Sequence, residues 1–321
     1  MIKRGRFFRN AGTVPPFHPI PESRSLPGVA TRVETEEPSP RFGRTVPFSQ
    51  ERKNNMAEAY TVSVNGFEME YCKFGNGDRV FVIIPGLAIQ SVIGAKDAVE
   101  EAFTIMRDDF TAYLFDRVKI APEGYSIYDM ADDTAAAMKE LGLERANIFG
   151  ASQGGMIGLV LAIRYPELVG KLVLGSTSPH VKPEQREVIE KWIALAKAKD
   201  REGLYQEYGR QIYPPEVYEQ YREYFSESAK AVTDEELEKF VIMASAIRDF
   251  DVTADLKKIK CPVLALGDFE DPVLDSDATM EIAENLDYRD DFALYMYTGY
   301  GHAAFDTAPD YRARVRDFLL K

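Results

Sequence analysis

Several features that define other classes of protein are scarce or missing in this chain of 321 residues. It has only two cysteines, Cys72 and Cys261, too few for a disulfide framework or a cysteine metal cluster, and this usage fits a reduced cytoplasmic setting. No run of 18 apolar residues occurs, so the sequence predicts no transmembrane helix. The net charge of −13 argues against nucleic acid and anionic membranes as partners.

Signatures of cofactor binding are also missing. The chain contains no His-x-x-x-His pair, no closely spaced cysteine pair and no phosphate-binding loop. We therefore expect neither a metal nor an organic cofactor, and we expect a small molecule as the binding partner. Nothing in the sequence indicates the oligomeric state.

The first 55 residues differ in composition from the rest. They hold 8 of the 18 prolines and carry 10 Lys or Arg against 5 Glu, without a hydrophobic period, so they are expected to be disordered. The apolar core of a signal peptide is missing, while a transit peptide stays open. A third hypothesis takes Met56 as the natural start, because Glu51-Arg-Lys-Asn-Asn55 could be encoded by a purine-rich stretch like a bacterial ribosome-binding site. The folded domain is then 56–321.

From residue 56 onward the pattern predicts an α/β sandwich. Two alternating segments, 59–64 and 67–74, flank Asn65-Gly66, which is the strongest short signal for a β-hairpin. Nearly continuous apolar runs follow, as in parallel strands buried on both faces, at 80–84, 111–115, 146–149, 171–174, 262–266 and 292–297. Helical patterns fall between them near 93–106, 127–142, 154–165, 276–286 and 305–320. Together they predict a mostly parallel eight-stranded sheet with an antiparallel N-terminal hairpin.

Residues 178–256 interrupt the alternation with several helical patterns and no convincing strand. We expect them to form a helical lid over the carboxyl edge of the sheet, where open α/β folds bind ligands. This segment is rich in aromatic residues, which either pack within the lid or form a wall facing the substrate: Tyr205, Tyr208, Tyr213, Tyr218, Tyr221, Tyr224 and Phe225.

The most informative motif is Gly150-Ala-Ser-Gln-Gly154, between an apolar strand and a helical pattern. A strand, a tight Gly-x-Ser-x-Gly turn and a helix form a nucleophile elbow, which exposes the hydroxyl of Ser152. A serine hydroxyl needs a base to take its proton. Of three histidines, His18 lies in the N-terminal segment and His180 at the start of the lid. His302, just after the last strand, is therefore the predicted base.

An imidazole base needs a carboxylate to hold its tautomer. Three acids follow the strand at 262–266, and we favour Asp271, with Asp268 as the alternative and Glu270 as a solvated loop charge. The tetrahedral intermediate needs two backbone N–H donors. Gln153, the residue after the nucleophile, and Leu87, in the loop after the strand at 80–84, are the predicted oxyanion donors.

These residues, in this order, resemble the α/β-hydrolase superfamily in its lidded, single-domain form, over about residues 60–321. The family implies Ser152 as nucleophile, Asp271 as acid, His302 as base, and Leu87 and Gln153 as oxyanion donors. Two segments depart from it. The usual His-Gly before the oxyanion loop is Pro85-Gly86, and the usual glycine-rich loop after the next strand reads Asp116-Arg-Val-Lys-Ile-Ala-Pro122.

The sequence therefore predicts a serine hydrolase that cleaves a small carboxylic ester, thioester or lactone through an acyl-enzyme. Cleavage of an amide or a carbon–carbon bond by the same triad is the alternative. A ligand-binding protein on a hydrolase fold is a third hypothesis.

Overall fold

One eight-stranded sheet organises the protein. A computed structural model describes residues 57–321, so the predictions made for 1–55 and for Met56 lie outside the described residues. The strands are β1 (Glu58–Val64), β2 (Phe67–Gly75), β3 (Arg79–Ile84), β4 (Phe110–Val118), β5 (Ala146–Ala151), β6 (Val169–Gly175), β7 (Val263–Asp268) and β8 (Phe292–Tyr297). All eight predicted strands are confirmed.

The sheet order is β1-β2-β4-β3-β5-β6-β7-β8. The hairpin around Asn65-Gly66 pairs β1 with β2, and β2 pairs antiparallel with β4. Every other pair is parallel, from β4 and β3 across to β7 and β8. Because parallel strands share one carboxyl edge, the loops after β3, β5, β7 and β8 meet at the same side of the molecule.

Ten helices join the described strands: α1 (Lys96–Ala102), α2 (Ile127–Glu140), α3 (Gln153–Arg164), α4 (Pro183–Lys197), α5 (Arg201–Ile212), α6 (Pro215–Ala231), α7 (Asp234–Ser245), α8 (Asp275–Leu286), α9 (Ala304–Thr307) and α10 (Tyr311–Leu320). They cover both faces of the sheet. Buried side chains of α2, α3, α7 and α8 form one core cluster with the strands, and those of α10 belong to a second cluster on the opposite face. None of the helices within 57–321 is long and apolar enough to cross a membrane.

Two predicted helices are shorter than expected. The pattern at 93–106 forms only α1 between two short 3-10 turns, since the Thr104 hydroxyl bonds back to the carbonyl of Glu101 at 2.8 Å and ends the helix. The pattern at 305–320 divides into α9 and α10. Pro309 favours an extended conformation at Ala308, where ψ is 124°, so a single helix cannot form there.

Four helices, α4 to α7, lie between β6 and β7, and we call residues 183–245 the helical insertion. Its aromatic residues mostly pack on one another: Phe225 is buried among the rings of five tyrosines, namely Tyr205, Tyr213, Tyr218, Tyr221 and Tyr224. Tyr205 and Tyr208 also reach the loop after β3 through their hydroxyl groups. The aromatic cluster therefore stabilises the insertion internally, and two of these tyrosines connect it to the sheet.

Candidate active site

Ser152 occupies a strained turn between β5 and α3. Its backbone has φ 50° and ψ −120°, a conformation that L-residues rarely adopt. The turn is held by the Ser152 N–H, which donates to the carbonyl of Gly175 at 2.8 Å. The Thr177 hydroxyl donates to the carbonyl of Ser152 at 2.7 Å. This geometry is that of a nucleophile elbow.

The glycines of the motif are required by close backbone contacts. A Cβ on Gly150 would lie 2.3 Å from the carbonyl oxygen of Gly154, and a Cβ on Gly154 would lie 2.0 Å from that of Ile84. Real Cβ atoms do not approach so closely. The Gly-x-Ser-x-Gly spacing is therefore a steric requirement of packing α3 against the ends of β5 and β3.

His302 and Asp271 form a buried pair. The Nδ1 atom of His302 lies 2.8 Å from Oδ2 of Asp271, and the two side chains are 4% and 3% exposed. Because a carboxylate only accepts, Nδ1–H donates to Asp271 and Nε2 is left as the basic nitrogen. The other carboxylate oxygen of Asp271 accepts the N–H groups of Val273 and Leu274 at 2.8 and 3.2 Å, which fixes its orientation.

The two other acids of this loop have different contacts. Asp268 is buried and accepts the N–H groups of Glu270 and Tyr300 at 2.8 and 2.9 Å; burial raises the pKa of its carboxyl. Glu270 is exposed but accepts the N–H of Gly299 at 2.7 Å, so it is more than the solvated charge that was expected. Both residues therefore connect the loop after β7 to the loop that carries His302.

The predicted oxyanion residues flank the elbow. Leu87 and Gln153 are both buried, and their backbone N–H groups donate to no other group among residues 57–321. The loop after β3 lies against the serine, since a Cβ on Gly86 would be 3.3 Å from the Cβ of Ser152. Within the described part of the chain there is no hydrogen bond between Ser152 and His302; such bonds often tighten only when substrate binds.

Two side chains for which the sequence predicted no such role hold the loop after β3. The Arg117 Nη2 group donates to the carbonyl of Pro85 at 2.7 Å, and the Tyr208 hydroxyl donates to the carbonyl of Leu87. The elbow is linked to the helical insertion as well, because the Gln153 amide donates to the carbonyl of Met243 at 2.7 Å. Side chains that bond to backbone carbonyls have no sequence signature, which is why these roles were missed.

The other candidate residues lie elsewhere. His180, at the start of the insertion, has its Nδ1 atom 3.3 Å from Glu281 and 3.2 Å from the Thr253 hydroxyl, so it has a structural contact away from the elbow.

Cys72 and Cys261 are free and buried, and burial raises the pKa of each thiol to about 11. Among residues 57–321 no three His, Cys, Asp or Glu side chains are grouped as metal ligands. His18 lies outside the described residues.

Comparison with known proteins places the chain among hydrolases of this fold. A family model described as the alpha/beta hydrolase fold matches residues 79–200. The chain is 27% identical over 192 residues to the protein named "Putative carbamate hydrolase RutD" of Pantoea ananatis, covering 59% of this chain and 68% of that protein. It is 23% identical over 222 residues to 3-oxoadipate enol-lactonase 2 of Acinetobacter baylyi, covering 66% and 79%.

Solved structures share the fold. An alpha/beta hydrolase enzyme from a Medee basin deep-sea metagenome library superimposes with a TM-score of 0.72 at 21% identity, over 82% of this chain and 98% of that chain. The enol-lactonase of Burkholderia xenovorans gives 0.70 at 19% identity, over 82% and 100%. The chain thus has the α/β-hydrolase fold. Together with the hydrolase relatives, the family-model match identifies it as a hydrolase on this fold.

Proposed function

We propose that this hydrolase cleaves a small carboxylic ester, thioester or lactone through an acyl-enzyme formed on Ser152. The observation that carries the proposal is the buried pair of His302 and Asp271 at the same sheet edge as the Ser152 elbow. A histidine held by a carboxylate, at the same sheet edge as a serine on a strained turn, is the arrangement that can activate a hydroxyl nucleophile.

Each residue has one task in this reaction. The Nε2 atom of His302 takes the proton of Ser152 as the serine oxygen attacks the carbonyl carbon, and the N–H groups of Leu87 and Gln153 stabilise the oxyanion. His302 then returns the proton to the leaving oxygen or sulfur, which departs and leaves the acyl group on Ser152. A water molecule, deprotonated by His302, attacks this ester, releases the acid and restores the serine. Asp271 stabilises the imidazolium during both formation and hydrolysis of the acyl-enzyme.

The relatives support the same class of chemistry. The Acinetobacter baylyi protein is named as an enol-lactonase, and a lactone is an internal ester that the same steps open. The name of the Pantoea ananatis relative favours the second candidate, cleavage of a carbon–nitrogen bond, because a carbamate is also attacked at a carbonyl carbon. Carbon–carbon cleavage, and ligand binding without catalysis, are further alternatives.

A fluorophosphonate probe tests the nucleophile, because it phosphonylates activated serines. We expect wild type to label and Ser152→Ala to remain unlabelled, with Ser176→Ala as a matched control, since Ser176 lies at the end of β6 with a similar positive φ of 44°. Failure of wild type to label, or labelling of Ser152→Ala, overturns the proposal. A panel of p-nitrophenyl esters of increasing chain length, with one lactone and one amide, then separates ester from amide cleavage.

A further inference from the structure

A charged cavity adjoins the loop that carries the proposed oxyanion donor. Its volume is about 260 Å³, and its wall on the sheet side includes Pro85, Gly86, Leu87 and Gln153. The opposite wall is formed by α7 of the helical insertion, through Phe240 and Met243. A group in this cavity therefore lies beside the position at which the proposed acyl carbonyl is held.

Arg117 enters this cavity from the end of β4. It is the single Lys or Arg that is buried among residues 57–321, with 7% exposure, and burial lowers its pKa to about 10. Its Nη2 atom bonds to the Pro85 carbonyl, while its Nε atom is buried without a partner. The guanidinium forms no ion pair with any described residue, and a buried cation without a counterion is costly.

Lys239 faces the same cavity from α7. It is half-buried, and burial lowers its pKa, an effect that the nearby carboxylates of Asp116, Glu70 and Glu236 partly offset. Like Arg117, it forms no ion pair with a residue in the described range. Two cations therefore approach the cavity from two different elements, and neither charge is neutralised by direct contact.

Four carboxylates also border the cavity, and their positions decide what the cations can bind. Glu236 is used at the start of α7, where it accepts the N–H of Thr233 at 2.8 Å, and Glu235 is exposed. Asp116 and Glu70 lie on the sheet side, and neither contacts a cation among residues 57–321 as an ion pair. The third cation, Lys119, is exposed and paired with Glu68.

From these contacts we infer that the cavity binds a carboxylate on the acyl part of the substrate, held between Arg117 and Lys239. A carboxylate matches the planar fork of a guanidinium and can accept from the buried Nε atom of Arg117, to which none of the bordering carboxylates bonds. The inference rests on the proposed function, because it assigns the cavity to the acyl side of the bond that is cleaved. It narrows the substrate to an ester or lactone that carries a second, anionic group a few atoms from the carbonyl.

The direct test is binding to Ser152→Ala, which removes turnover. Monomethyl glutarate carries the carboxylate, methyl 5-methylhexanoate is its neutral counterpart of equal shape, and methyl 4-(trimethylammonio)butanoate is the cationic one. Titration calorimetry should show monomethyl glutarate binding about tenfold more tightly than the neutral ester, because one hydrogen bond to a charged group contributes about that much affinity. In the Ser152→Ala background, Lys239→Met should remove most of that difference and leave the neutral ester unaffected.

Lys230→Met is the matched control, since Lys230 is exposed on α6 and pairs with Glu227 away from the cavity. This substitution should leave the affinity for all three esters unchanged. Equal affinity for the anionic and neutral esters, preference for the cationic ester, or an equal loss for all esters in Lys239→Met overturns the inference. Turnover by wild type separates the two proposals. If wild type hydrolyses the anionic and the neutral methyl ester equally well, the carboxylate pocket is refuted and the proposed function stands. If wild type does not label with the fluorophosphonate probe, the proposed function is refuted.

Discussion

At the scale of single residues, chemistry and chain order allowed the candidate triad to be predicted, but not every choice within it. His302 follows the last strand, whereas His180 lies at the start of the lid and His18 in the N-terminal segment, so His302 was selected by position. Three acids follow β7, and spacing alone does not show which of them reaches the imidazole. The structure brings Asp271 to His302 and turns Asp268 toward the N–H of Tyr300, a difference that depends on the path of the loop.

Asp271→Asn should lower kcat by about 10⁴-fold, because the amide cannot hold His302 in the tautomer with a basic Nε2 atom. The chain offers Asp268→Asn as a control, with the same chemical change three residues away. We expect Asp268→Asn to keep most of the activity and to lose about 1 kcal/mol of unfolding free energy, since it weakens a hydrogen bond between loops. Steady-state kinetics on a p-nitrophenyl ester and urea unfolding of both variants measure this. A larger loss of kcat in Asp268→Asn would show that the assignment is reversed.

At the scale of elements, periodicity located the strands better than it located the helix ends. The strands between β3 and β8 are short and apolar, so their positions follow from composition alone. The end of α1 depends on the hydroxyl of Thr104, and the start of α10 depends on the ring of Pro309. A hydrophobic period is read over many residues, so it does not show the effect of one residue. The contact of Tyr208 with the loop after β3 crosses 121 residues of sequence and has no local signal.

Gly154→Ala should destabilise the protein by about 3 kcal/mol, because the new methyl group would lie 2.0 Å from the Ile84 carbonyl oxygen at the β3–α3 contact. Gly94→Ala is the matched control, since no atom lies within 4 Å of its Cβ position and its φ is ordinary. Its effect should stay within about 0.5 kcal/mol. Equilibrium urea unfolding measures both. Equal stability of the two variants would contradict the tight packing described for the elbow.

Tyr208→Phe should lower kcat/KM by about tenfold, because the loop that holds Leu87 loses its bond to the helical insertion and the oxyanion donor is less well positioned. Tyr205→Phe serves as the control. It loses a similar half-buried hydroxyl, which bonds to the side chain of Gln90 at 2.7 Å, and its kcat/KM should change little. If both variants lose activity equally, the effect comes from general loosening of the insertion, and the specific role of Tyr208 is wrong.

At the scale of the whole molecule, charge is distributed unevenly. The chain carries −13 in total and +5 in its first 55 residues, which leaves −18 for residues 56–321. Ion pairs such as Lys119–Glu68 and Arg164–Asp132 are surface contacts, each of which contributes little to stability. Mutual repulsion of the excess carboxylates therefore opposes folding at neutral pH. No single residue shows this effect, which follows from composition and is independent of the fold.

Sodium chloride should therefore raise Tm at pH 7, since an increase from about 0.01 M to about 1 M shortens the Debye length from about 30 Å to about 3 Å. Screening weakens both repulsion and ion pairs, but the 18 unbalanced charges make repulsion the larger effect. A gain of about 1 kcal/mol corresponds to roughly 2–4 °C for a domain of this size. The same titration near pH 4.9, the isoelectric point of the whole chain, is the control, because most of the negative charge of residues 56–321 is lost there. A Tm that falls with salt at pH 7, or that rises equally at both pH values, would show that charge repulsion does not limit the stability of this fold.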